Sequence, residues 1–188
     1  MKTAFIIHGF NGDTTYTFGP WLKQILENKG FTVYMPSFPI RSEASFEKWS
    51  RILDDYKNEI KKDSIIIAHS IGNPFIIRYL ANNKLNVNTY ISIAGFCQTF
   101  IVEGREDLNN AFEDFKVKKH HIESIKDTVP IRYSLYGDKD HVIPIDILKN
   151  FVEQLESVPV FIEGIGHMGN RDNVKEIPKL AEIIKNVI

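Results

Sequence analysis

Ser70 is the first residue of this chain whose type and surroundings could do chemistry. It sits in Ala68-His69-Ser70-Ile71-Gly72, after the mostly apolar run Asp63-Ser-Ile-Ile-Ile67. The segment reads as a buried strand that stops at a serine, with a helix starting directly behind it. It is close to G-x-S-x-G, the strained strand-to-helix turn that exposes a nucleophilic hydroxyl. Ala68 stands where the first glycine is usual, and alanine is the next smallest side chain. Gly72 removes a Cβ where strand and helix approach most tightly. Pro74 falls in the first helical turn, where its missing N–H is no loss. Phe75, Ile76, Tyr79 and Leu80 recur at helical spacing over residues 73–83. Two small residues around a serine also arise by chance, so the flanking strand and helix give the pattern its weight.

A serine hydroxyl is a weak nucleophile without a base, and the base needs a partner that fixes its tautomer and stabilises its cation. Two later segments supply candidates, Tyr136-Gly-Asp138-Lys-Asp140-His-Val-Ile-Pro144 and Glu163-Gly-Ile-Gly-His167-Met-Gly169. Each follows an apolar run, and the order Ser, Asp, His is that of α/β-hydrolases. His167, in a glycine-rich loop, is the expected base. Asp140 is the expected orienter, because Val142 and Ile143 behind it tuck into the core. Asp138 is then expected to bind backbone N–H groups of its own turn. The other histidines have quieter readings. His69 is expected to point away from Ser70, His8 to order the first loop, and His141 to be incidental. His120, His121 and Glu123 hint at a metal but lack metal-ligand spacing.

The loop Phe5-Ile-Ile-His8-Gly9-Phe10-Asn11-Gly12 supplies the remaining part. In a hydrolase the backbone N–H groups of Phe10 and Ile71 would form the oxyanion hole. Ile71 also opens a helix, where free N–H groups favour negative charge. A nucleotide-phosphate cradle is a poor fit, with neither G-x-G-x-x-G nor G-K-[ST] present. Cys97 reads as a packed wall residue.

These groups need a scaffold that brings distant segments together. Strands are expected over residues 2–8, 31–35, 64–69, 87–94, 131–136 and 158–163. Helices are expected over 20–29, 45–61, 73–83, 144–155 and 174–187. The 45–61 helix would bury Phe46, Trp49, Leu53, Tyr56 and Ile60, and the last would bury Ile177, Leu180, Ala181, Ile184 and Ile188. Alternating strands and helices, with continuously apolar strands, imply an α/β three-layer sandwich around a mostly parallel sheet. Residues 96–129 are too long for one simple connection. They read either as a lid at the carboxyl edge of the sheet or as a crossover helix with a ragged start.

Composition narrows the possibilities further. A chain of 188 residues suits one domain with one core. Its 43% hydrophobic and 25% charged residues are ordinary for a globular protein. A net charge of −1 without a basic cluster argues against nucleic acid. No apolar run has the length of a membrane span, and the start is too briefly apolar for a signal peptide. One cysteine excludes an internal disulfide, and a cytoplasmic setting is expected.

With these residues in view, the chain resembles the α/β-hydrolase superfamily, and within it the small serine hydrolases that include retinoblastoma-binding protein 9. The likeness rests on His8-Gly9, Trp21-Leu22, Met35-Pro36, the Ser70 turn, Asp140 ahead of Val142-Ile-Pro144, and Gly166-His167. It implies a sheet in the order 2-1-3-4-5-6, with Ser70 as nucleophile, His167 as base and Asp140 as orienter. It also implies activity on small activated esters without a cofactor. The Leu-x-Cys-x-Glu motif is absent around Cys97, so that protein partnership does not carry over.

The expectation is therefore a serine hydrolase of carboxylic esters acting through an acyl-enzyme. Loop 36–44 and segment 96–129 are expected to line its pockets, with Phe10, Phe38, Phe96 and Phe100 forming an apolar acyl site. Two alternatives are a non-catalytic interaction protein that keeps the fold and a flavodoxin-like binding module.

Overall fold

The computed structural model describes residues 2–12, 14–15 and 17–187. Its strands are β1 (Thr3–Ile7), β2 (Thr32–Tyr34), β3 (Ile65–His69), β4 (Thr89–Ile93), β5 (Ile131–Gly137) and β6 (Val158–Ile162). All are parallel, in the order β2-β1-β3-β4-β5-β6. β1 and β4 are buried at every position and β3 at all but its last. Strands covered on both faces have no polar side to show, which is why they read as unbroken apolar runs.

The helices are α1 (Gly19–Asn28), α2 (Phe46–Asp54), α3 (Gly72–Asn83), α4 (Glu106–Asp114), α5 (Lys119–Thr128), α6 (Ile145–Leu155) and α7 (Pro178–Val187). A right-handed crossover fixes the face each one covers. The path from β1 to β2 runs one way along the sheet, so α1 covers one face. From β2 onward the path runs the other way, so α2, α3, α5 and α6 cover the opposite face. Contacts of α1 with α7, of α3 with α2 and α5, and of α5 with α6 fit this arrangement. The carboxyl ends of β1 and β3 therefore lie where the winding reverses, a crevice that the topology leaves open for ligands.

Two expected elements differ. The helix over 45–61 stops at Asp54, and a separate 3-10 turn covers Lys57–Glu59. Tertiary contacts bend the chain there. Tyr56 sets its ring edge against Tyr34, and the Thr3 hydroxyl donates to the Glu59 carbonyl at 2.8 Å. Ile60 is thereby buried on the way into β3. The last helix begins at Pro178 rather than at residue 174, because a proline disfavours helical geometry in the residue before it. Ile188, expected on its apolar face, lies outside the described residues.

Residues 96–129 hold two helices with different jobs. α5 lies between α3 and α6 and is the crossover from β4 to β5. α4 is an additional piece set against the turn at Arg41–Glu43. Its last residue, Asp114, accepts from the Phe46 N–H at 2.6 Å, and its carbonyl accepts from Arg78.

Candidate active site

Ser70 has φ 54°, the left-handed region that a side chain rarely adopts. Such a residue persists only where its surroundings hold it. Here Asn73, fully buried, does much of the holding. Its Nδ2 donates to the carbonyls of Ser70 and Ile93, at 2.9 and 3.1 Å. Its Oδ1 accepts from the Tyr90 hydroxyl at 2.6 Å. The Ser70 N–H also donates to Ile93 O, which ties the turn to the end of β4. Gly72 is obligatory, since a Cβ there would lie 2.7 Å from the His8 carbonyl oxygen. Ala68 faces Ile7 and Ser92 in register and is wholly buried, so its methyl group is accommodated within the sheet.

The loops after β5 and β6 bring two further side chains to this turn. Ser70 Oγ is 3.0 Å from His167 Nε2, and His167 Nδ1 is 2.8 Å from Asp140 Oδ2. Asp140 Oδ1 accepts from the N–H groups of Val142 and Ile143, at 2.8 and 2.9 Å. Burial pushes the Asp140 carboxyl upward in pKa. The His167 hydrogen bond and charge, with these two N–H groups, outweigh it and hold the group below the ordinary carboxylate value. The carboxylate accepts from Nδ1–H, so the lone pair of Nε2 faces the serine hydroxyl. The Ser70 and His167 residues and the Asp140 side chain are each less than 10% exposed.

The two loops interlock. The Lys139 N–H donates to the Ile165 carbonyl at 3.0 Å, and a Cβ on Gly137 would lie 2.3 Å from that same oxygen. Asp138 accepts from the Gly164 N–H at 2.6 Å, a bond that lowers its pKa. Asp138 thus braces the loop pair while Asp140 faces the imidazole.

His69 has a larger part than its sequence position suggested. Its Nε2 lies 2.8 Å from the His167 carbonyl oxygen, and the two rings are 5.0 Å apart. Burial, then the neighbouring His167, push its pKa down to about 3, so the ring is neutral and Nε2–H is the donor. His8 also spans two loops. Its Nε2 accepts from the Phe38 N–H at 3.0 Å, and Nδ1 donates to Gly9 O at 2.8 Å. His141 approaches Asp172 at 3.7 Å. His120 and His121 lie on α5, and among the described residues no group of metal-ligating side chains gathers. Cys97 bonds Gln154, and burial raises its thiol pKa to about 12.

A cavity of about 390 Å3 opens over Ser70. Phe10, Phe18, Met35, Val102 and Leu108 form much of its apolar wall. Among the described residues, the N–H groups of Phe10 and Ile71 donate no hydrogen bond within the protein. Of the expected acyl-site aromatics, Phe10 lines the cavity and the other three do not. Phe38 stacks on Trp49 with ring centres 4.6 Å apart, inside a core cluster with Phe75. Phe96 and Phe100 pack on Phe112. Phe38, Phe96, Phe100 and loop 36–44 do not line the cavity, whereas segment 96–129 contributes Val102, Arg105 and Leu108. The wall residues carry no shared periodicity and meet only through the topology.

The parallel sheet, the strained serine turn at its winding reversal and the two strand-end loops define an α/β-hydrolase. A family model described as Serine hydrolase matches residues 4–186, and the chain belongs to that family. It is similar to Putative hydrolase YdeN of Bacillus subtilis (strain 168), at 24% identity over 187 residues, covering 97% of this chain and 94% of that one. The crystal structure of the B. subtilis ydeN gene product superposes with TM-score 0.86 at 21% identity, over 100% of this chain and 98% of that one. A structure from work on carboxylesterases of the thaumarchaeon Nitrososphaera gargenis gives TM-score 0.73 at 13% identity, over 98% of this chain and 89% of its own. Among the described residues no helix is long and apolar enough to cross a membrane.

Proposed function

We propose that the protein is a serine esterase that cleaves small carboxylic esters through a Ser70–His167–Asp140 triad. The single observation that carries this reading is the continuous hydrogen-bonded chain from Ser70 Oγ through the imidazole to Asp140. Ser70 Oγ attacks the ester carbonyl carbon while its proton passes to His167 Nε2. Asp140 keeps Nδ1–H in place and stabilises the imidazolium. The carbonyl oxygen, now negative, takes up hydrogen bonds from the Phe10 and Ile71 N–H groups. Each such donor is worth roughly 10²–10³ in rate. The tetrahedral intermediate expels the alcohol, which leaves with the proton from Nε2, and an acyl-serine remains. Water, deprotonated by His167, then releases the acid and restores the hydroxyl.

The apolar wall suits a short acyl or alcohol group, and the carboxylesterase work on N. gargenis concerns the same fold. A cytoplasmic setting agrees with one buried, unpaired cysteine. The decisive test is labelling by a fluorophosphonate probe. Wild type is expected to react and Ser70→Ala to stay unlabelled while its thermal melt is retained. A Ser70→Ala protein that still labels fully, or a wild type that never does, rejects the esterase and favours a non-catalytic protein on this fold. A series of acyl esters of graded length then defines the preferred chain.

A further inference from the structure

Two cationic side chains line the cavity. Arg105 and Arg171 both face it, and among the described residues no carboxylate does. This contrasts with a chain whose formal net charge is −1. The two guanidiniums come from separate segments, Arg105 from the residue before α4 and Arg171 from the 3-10 turn at Asn170–Asp172 beyond His167. Asp107 takes Nε and Nη2 of Arg105, at 3.0 and 3.1 Å, and neutralises part of its charge. Arg171 is exposed and, among the described residues, has no ion-pair partner. The neighbouring Asp172 is occupied by the Gly169 N–H at 3.2 Å and lies near His141. The lining thus combines apolar side chains with two guanidiniums, and Ser70 opens into the same space.

We propose that the cavity selects esters carrying a carboxylate away from the scissile bond, held by Arg171 with help from Arg105. This rests on the hydrolytic reading of Ser70. A guanidinium presents paired N–H donors in the plane that a carboxylate accepts, so it distinguishes an ionised group from an alkyl end of equal length. The apolar wall then holds the connecting methylenes.

Two length-matched pairs test the idea. Monomethyl glutarate against methyl pentanoate places the charge on the acyl side. 3-Acetoxypropanoate against propyl acetate places it on the alcohol side. Binding is read by calorimetry on Ser70→Ala, which needs no turnover, and kcat/KM is read on wild type. The charged member of at least one pair is expected to bind about fivefold more tightly, modest because Arg171 stays hydrated. That ratio is expected to fall toward one in an Arg105→Gln/Arg171→Gln double variant and to shrink as salt rises. Neutral members favoured in both pairs, or a preference that survives the double substitution, overturns the proposal. Selective binding by Ser70→Ala beside a wild type that hydrolyses no ester would sink the esterase reading and leave the anion site standing. Hydrolysis without charge preference would do the reverse.

Discussion

The His69 imidazole is hydrogen-bonded to the backbone of His167, with Nε2 2.8 Å from its carbonyl oxygen. The residue before the candidate nucleophile therefore grips the residue that carries the candidate base. Removing that grip should loosen the Ser70–His167 geometry, and since His69 itself lines the cavity, a phenylalanine keeps an aromatic ring in the wall. Misplacement by about 1 Å can lower a rate by roughly 10²-fold, and one lost bond permits less movement than that. His69→Phe is expected to lower kcat for ester hydrolysis about tenfold with little change in KM. His69→Gln, which keeps an N–H donor, is expected to recover part of the loss. Equal rates for His69→Phe and wild type would show that the bond does not position the base.

The two aspartates of the β5–β6 loop pair should behave differently. Asp140→Asn removes the charge facing His167 Nδ1 and permits the wrong tautomer, so kcat is expected to fall roughly 10³–10⁴-fold. Asp138→Asn keeps an oxygen that can accept from the Gly164 N–H, and its activity is expected to stay within about twofold of wild type. Steady-state kinetics on the two variants checks both statements, and a larger loss in Asp138→Asn would reverse the assignment.

Tyr90 and Asn73 should show their value in stability. Tyr90→Phe strands a buried amide oxygen, which is expected to cost about 1–3 kcal/mol. Asn73→Ala takes the Asn73 acceptor from the Tyr90 hydroxyl and removes donors from two carbonyls at the strained turn, so it should cost more than Tyr90→Phe. Denaturant unfolding of both variants measures the order.

Acid should destabilise the protein before its carboxylates titrate. Burial lowers the pKa of His69 to about 3 and that of His121 to about 4, against 6.5 for a free imidazole. Below pH 6.5 the unfolded chain binds protons that the folded protein refuses, so stability falls as pH falls. Each neutral histidine contributes a slope of about 1.4 kcal/mol per pH unit while only the unfolded form is protonated. Between pH 6 and 5 the loss is therefore expected to follow about two protons. His121→Gln, remote from Ser70, should reduce it to about one, as read from urea unfolding across that window.

The strand–helix alternation was legible because β1, β3 and β4 are buried on both faces and so spell continuous apolar runs. The strand order followed from the family resemblance and is the order found. The Ser70 turn could be singled out because it follows such a run, and Asp140 and His167 because they sit in loops after expected strands, next to residues that suit a tight turn. What could not be read were contacts made by the fold itself. Phe38 and Phe96 look like pocket aromatics in sequence but fill the core, and half-buried Phe100 packs on Phe112, while Phe18, Met35 and Leu108 meet around the cavity. The break after Asp54 depends on Tyr34 and Thr3, far away along the chain. Asn73 passed as an ordinary first-turn residue, although a polar side chain directly after Gly72 was a signal that something there needed binding.

The bond from Lys139 to Ile165 and the contact of Gly137 with that same carbonyl make the β5 and β6 loops a single inheritable unit. A chimera that takes only one of them from a homologue would mate mismatched halves and displace aspartate from imidazole. Swapping both together, as one cassette, is the route by which such folds can be recombined with the aspartate–imidazole contact intact.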